Sequence, residues 1–152
     1  MPIKNYTTKV PAVQTVGEIQ GLLAAHGARR VMMDYSDSGR VEAVTFGLMI
    51  GGNMAVFRID AKPQGVIRVM KKDLVKCNPE QAERIAWRNV KDWIAAQIAL
   101  VETEQATMDE VFLPYLLDTA TEKTLYQRVC DRQFLLSDGG YDICRTEQGE
   151  RR

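Results

Sequence analysis

Apolar residues recur along the chain first at helical spacing, then at every second position, then at helical spacing again. From Thr15, the residues Val16, Ile19, Leu22 and Leu23 lie on one stripe, and Gly27 supplies a natural stop. Val31, Met33 and Tyr35 then alternate with Met32 and Asp34. Ser36-Asp37-Ser38-Gly39 reads as a turn into a second run, in which Val44, Phe46, Leu48 and Ile50 share a face. Gly51-Gly52-Asn53 tolerates positive φ, and after it Ala55, Phe57 and Ile59 alternate with Met54, Val56 and Arg58. The pattern predicts an N-terminal helix followed by a three-stranded antiparallel meander. Met32, Asp34, Thr45, Met54 and Arg58 fall on the face away from the expected core, so that face is either a second helix-covered layer or a binding surface.

Past Pro63 the helical period returns. Val66, Ile67, Met70, Leu74 and Val75 predict a short helix ending near Cys77-Asn78-Pro79. From Gln81 a longer pattern follows, with Ala82, Ala86, Val90, Trp93, Ile94, Leu100 and Val101 on one stripe and Met108, Val111, Phe112 and Tyr115 on its extension. Unbroken to Pro114, this helix would be about 50 Å long, against a radius of gyration of roughly 15 Å for a compact chain of this size. It is therefore expected to break near Thr103 or to use its stripe as a homodimer seam. A last helix is expected over residues 125–134, and the polar, glycine-bearing stretch 138–152 is expected to be a mobile tail. The fold class is thus α+β, one domain over residues 1–137 with C-terminal helices, including the long one, covering the sheet's apolar face.

Composition narrows the function classes. With 152 residues, 45% in the apolar set, the chain can bury roughly 70% of its unfolded surface and needs no disulfide or metal for its core. The 20 basic side chains balance 20 acidic ones, so any nucleic-acid contact needs a local patch. No run approaches 18 apolar residues, and Met1-Pro2-Ile3-Lys4-Asn5 lacks the apolar run of a secretory signal. The expectation is a cytoplasmic protein without membrane contact. Cys77, Cys130 and Cys144 are odd in number and widely spaced, which predicts reduced thiols and neither a redox pair nor a zinc knuckle. The only histidine, His26, precedes Gly27, where a side chain at a helix C-terminus meets the last carbonyls.

The sharpest catalytic candidate is Asp60-Ala61-Lys62 at the end of the third strand, which is similar to the acid-x-Lys element of the restriction-endonuclease-like nucleases. That resemblance implies Asp60 with Glu42 or Asp34 as Mg²⁺ ligands and Lys62 as electrophile. A chain with 20 acidic residues and eight lysines supplies such a triplet about once by chance, and one is present. A strand end with a solvated ion pair is therefore expected, with no catalytic residue, metal ligand or cofactor assigned. The helix-strand-strand-strand-helix order is also similar to the double-stranded-RNA-binding domain, but Lys71 and Lys72 lie in the middle of the helix after the sheet instead of opening it.

The one coherent local patch is on the long helix. Arg84, Arg88 and Lys91 lie opposite the apolar stripe with Trp87 beside them, where an anion or a stacked base could be met, and Arg58 joins them as a candidate binding residue from the sheet. Glu80 with Arg84, and Arg88 with Asp92, are i to i+4 pairs that partly neutralise this face. Glu102, Glu104, Asp109 and Glu110 make the chain acidic where the helix should bend, either a solvated bend or a surface for a basic partner.

Three segments, Ile3-Lys4-Asn5-Tyr6-Thr7-Thr8, Gln81-Ala82-Glu83-Arg84-Ile85-Ala86-Trp87-Arg88-Asn89-Val90-Lys91-Asp92-Trp93 and Glu110-Val111-Phe112-Leu113-Pro114-Tyr115, resemble a family of small bacteriophage and prophage proteins without an assigned activity. The resemblance implies a bacterial host cytoplasm during infection or lysogeny and transfers no catalytic residue. The leading expectation is a phage accessory protein that binds a host or phage protein stoichiometrically, inhibiting a host enzyme or defence system through the long helix and the exposed sheet face. The alternatives are a nucleic-acid-binding factor in phage replication or recombination, using Arg84, Trp87, Arg88 and Lys91, and a Mg²⁺-dependent nuclease at Asp60.

Overall fold

The computed structural model describes residues 2–132. The expected tail over 138–152 and the end of the expected last helix lie outside them. Helix α1 (Ala12–Ala25) leads into an antiparallel sheet of β1 (Arg30–Tyr35), β2 (Val41–Ile50) and β3 (Asn53–Asp60), in that order across the sheet. Helices α2 (Pro63–Lys72), α3 (Pro79–Glu102) and α4 (Met108–Phe112) follow. A single 3₁₀ turn at Leu113–Tyr115, the short hairpin β4 (Leu117–Asp118) and β5 (Lys123–Thr124), and α5 (Leu125–Arg132) complete the described chain. The architecture is the α+β arrangement that the pattern predicts, with the small hairpin added.

Turn chemistry and period two set the sheet. Gly51 and Gly52 take φ of 56° and 83°, the positive pair that a two-residue hairpin turn requires. The register that follows is Met49↔Met54, Gly47↔Val56 and Thr45↔Arg58, continued into β1 as Met32↔Thr45 and Asp34↔Ala43. Val44, Phe46, Leu48, Phe57 and Ile59 therefore share the inner face. Val16, Ile19 and Leu23 of α1, and Trp87, Ile94 and Ile98 of α3, complete the core against them. Phe46 and Phe57 stack with centroids 5.4 Å apart, and Phe112 of α4 meets Phe46 edge-on at 5.2 Å.

Helix α3 stops at Thr103, so of the two expectations for the long pattern the break is the one found. Its 24 residues span about 36 Å. The chain leaves it by a Schellman motif, in which Gln105 N donates to Leu100 O at 2.9 Å and Glu104 N to Val101 O at 3.1 Å. The homodimer seam along this helix loses its basis, because Ala82, Ile85, Ala86, Trp87, Ile94 and Ile98 are buried inside the chain itself. The buried arc is rotated from the expected stripe: Trp87 and Ile98 are inside, whereas Leu100 is exposed. The rotation follows from α1 packing along the flank of α3, which widens its covered arc beyond a single face.

The residues before α1 are tied to α3. Asn5 Nδ2 donates to Asn89 Oδ1 and to Asp92 Oδ2, both at 2.9 Å, and Gln81 Nε2 donates to the carbonyls of Tyr6 and Thr8 at 3.1 and 2.9 Å. Burial pushes the Asp92 carboxyl up, but the hydrogen bonds from Asn5 and Lys4 outweigh it and hold the group below its usual range. Cys77 is a free, half-buried thiol, and Cys144 lies outside the described residues.

Candidate functional site

The patch expected from Arg84, Trp87, Arg88 and Lys91 is not assembled. Trp87 is fully buried and its Nε1 donates to Val41 O at 3.2 Å, so neither a base nor an anion can stack on it. Arg88 pairs with Glu18 of α1 instead of the expected Asp92, because α1 lies directly beside this turn of α3. Arg84 reaches Glu80 at 3.8 Å and donates to Gln81 Oε1 at 3.1 Å, and Lys91 Nζ lies 4.0 Å from Asp92 Oδ1. Each cation thus has a carboxylate beside it, and the face offers no concentrated positive charge.

Arg58 lies in a different cluster, on the outer face of the sheet. Its Nε donates to Asp60 Oδ1 at 2.9 Å, and its Nη1 lies 3.3 Å from Asp34 Oδ2. The same Asp34 oxygen accepts from Thr45 Oγ1 at 3.1 Å, so the bridge crosses the central strand from β3 to β1. Partial burial works against the guanidinium charge, but Asp60, Asp34 and Glu42 outweigh it and raise the Arg58 pKa. A guanidinium therefore stands between the two carboxylates that the nuclease resemblance would use for Mg²⁺. Every strand pair is antiparallel as well. Among the described residues, no group of three or more His, Cys, Asp or Glu side chains converges as a metal site.

Arg58, Asp60 and Lys62 line the boundary between two open hollows of about 410 and 710 Å³. Ser36, Ser38, Arg40 and Glu83 also line the smaller, and Asn89, Trp93, Tyr115, Tyr126 and Gln127 the larger. Burial pushes the Glu83 carboxyl up although Arg40 lies 4.0 Å away. Glu83 and Arg40 are additions to the sequence-derived set. Nothing in their local pattern distinguishes them from other helix and turn charges, because the hollow that groups them is made by tertiary packing.

The outer sheet face leaves methionines exposed on β1, at the end of β2 and at the start of β3. Met32 is 58% exposed, Met49 48% and Met54 38%. Between them, Ala43, Thr45 and Gly47 of the central strand are small and buried. Met54 lies so close over Gly47 that an added Cβ would sit 2.6 Å from its sulfur. The accessible part of this face is thus made by the flexible thioethers themselves, together with the partly exposed Arg58–Asp34 bridge. Of the two arrangements left open for this face, the helix-covered layer is not formed by the described residues. No helix among them is long and apolar enough to cross a membrane. Comparison of the chain with protein-family models, with curated proteins and with solved structures finds no match.

Proposed function

We propose that this chain is a stoichiometric binding module that docks a partner protein on the outer face of its sheet. In line with its resemblance to phage and prophage proteins, the partner is a host enzyme or defence component that the module inhibits. One observation carries the reading: Met32, Met49 and Met54 are exposed on the same face of the sheet. Thioethers adapt to an apolar partner surface without a fixed shape of their own, and neighbouring exposed apolar side chains mark interaction sites. The braced Arg58 guanidinium adds a polar anchor whose direction is set before binding. The long helix leaves the proposal as a docking element, since its apolar side is consumed by the core. Nucleic-acid binding draws less support, because Trp87 is buried and every candidate cation is paired.

The test is affinity capture from bacterial host lysate with the wild-type chain, with Met49→Glu/Met54→Glu, and with Lys71→Glu on α2 as a control. A host protein held by the wild type and the control, and reduced about tenfold or more by the double variant, is the expected result. Equal capture by the double variant would place docking elsewhere. Recovery of nucleic acid in a strongly salt-dependent complex would favour the alternative.

A further inference from the structure

The two edges of the sheet are treated differently by the fold. At the β3 edge, Phe57 forms a bridge with Leu116, so the segment leading into the small hairpin covers that strand. At the other edge, β1 pairs with β2 alone, and no described segment bonds to its outer side. The strand carries no proline and no lysine, the usual devices that keep an exposed edge from pairing. Its two charges are Arg30 and Asp34, of opposite sign and placed symmetrically about Met32.

We propose that β1 pairs with β1 of a second copy of this chain, across a twofold axis through Met32, making one continuous six-stranded antiparallel sheet. The argument is one of self-complementarity. An isologous interface must match its own surface after a twofold rotation. Antiparallel pairing centred on Met32 sets Arg30 opposite the second copy's Asp34, Asp34 opposite its Arg30, and Val31 opposite its Met33. Arg30, Met32 and Asp34 share the outer face, so both ion pairs form on the same side of the joined sheet, flanking a Met32 pair on the axis. Arg30 is exposed and has no carboxylate partner among the described residues. Asp34 spends only Oδ2 on Thr45 and Arg58, which leaves Oδ1 for the incoming guanidinium. The shift in register between Asp34 and Tyr35 limits the pairing to the regular part of the strand. The dimer does not depend on the binding role proposed above, whose test residues lie on β2 and β3. It sets two copies of the methionine face side by side.

Light scattering and sedimentation on the purified full chain test this without any partner. The wild type is expected at twice the 17.1 kDa chain mass at high concentration, dissociating on dilution. Arg30→Glu alone and Asp34→Lys alone each place like charges at both pairs, and each should weaken the dimer about tenfold or more. An equimolar mixture of these two variants should recover the dimeric mass, because each then offers the charge that the other lacks. Met32→Lys puts two ammonium groups on the axis while sparing the Arg58 bridge, and it should also yield monomer. A wild type that stays monomeric at every concentration, with Arg30 and Asp34 acting as edge guards, would overturn the proposal. So would a dimer unaffected by Met32→Lys, or variants that fail to recover on mixing.

Discussion

Three helices end with the same hydrogen bonds, and only one of them does so on a glycine. Ala28 N donates to Leu23 O at 3.0 Å, Val75 N to Met70 O at 2.9 Å, and Gln105 N to Leu100 O at 2.9 Å. The residues turned into the left-handed region are Gly27 (φ 104°), Leu74 (φ 59°) and Glu104 (φ 58°). For an L-residue this conformation costs about 1–2 kcal/mol, and Leu74 recovers nothing by packing, since it is 93% exposed. Leu74→Gly should therefore stabilise the chain by about 0.5–1 kcal/mol after the greater freedom of the unfolded glycine is subtracted. The gain would appear as a higher urea midpoint with an unchanged slope. Gly27→Ala should move the midpoint the other way, and a Leu74→Gly protein no more stable than the wild type would contradict the argument. The same comparison shows what a sequence reveals at this scale. Gly27 marks its helix end openly, whereas Leu74 and Glu104 perform the same turn with residues whose own preferences point away from it.

At the scale of elements, period was enough to read the meander, and length left a break of α3 near Thr103 as one of two alternatives, the one that the fold takes. What the pattern could not carry were contacts between elements far apart in the chain. Glu18 takes Arg88 and Asn5 takes Asp92, and together they convert an expected solvated helix face into a packed one. The two-residue strands β4 and β5 are too short to show any period. His26 was legible as a residue at a helix terminus, and its Nδ1 does lie 2.8 Å from Leu22 O, but its second partner belongs to another element. His26 Nε2 lies 2.8 Å from Glu102 Oε1, pinning the end of α1 to the end of α3. Only the imidazolium donates to both groups at once. The Leu22 carbonyl and then Glu102 raise its pKa above the ordinary 6.5. Because the folded value exceeds the unfolded one, the stabilisation is complete below the unfolded pKa and is lost as pH rises through the folded pKa. Urea midpoints measured upward from about pH 5.5 should fall across this window in the wild type and stay flatter in Glu102→Gln and in His26→Gln. A wild-type profile that matches both variants would show that the contact does not form in solution.

For the whole molecule, the decisive question is whether the segment after α3 belongs to the same cooperative unit as the sheet. Its attachment runs through aromatic side chains. Phe112 is fully buried, meets Phe46 of β2 at 5.2 Å and Trp93 of α3 at 5.7 Å, and Tyr115 lies 5.3 Å from the same Trp93. The sequence placed Phe112 and Tyr115 on the extension of the long helix's stripe. That put them on the apolar side of the chain but not on these partners, because the turn after Thr103 folds the stripe back onto the sheet. If this junction welds the described chain into one unit, Phe112→Ala should cost about 3–5 kcal/mol, a large share of the roughly 5–15 kcal/mol that holds a domain of this size together. Both tryptophans, Trp87 and Trp93, sit in or beside this core, so their fluorescence reports its packing while far-UV circular dichroism reports all helices and strands. The two signals should give coincident urea transitions in the wild type, and in Phe112→Ala they should move together to a lower midpoint. A fluorescence transition that shifts in the variant while the dichroism stays in place would mean that the segment after α3 docks onto an independently stable core. The single-domain reading would then give way to a core with an appended lobe.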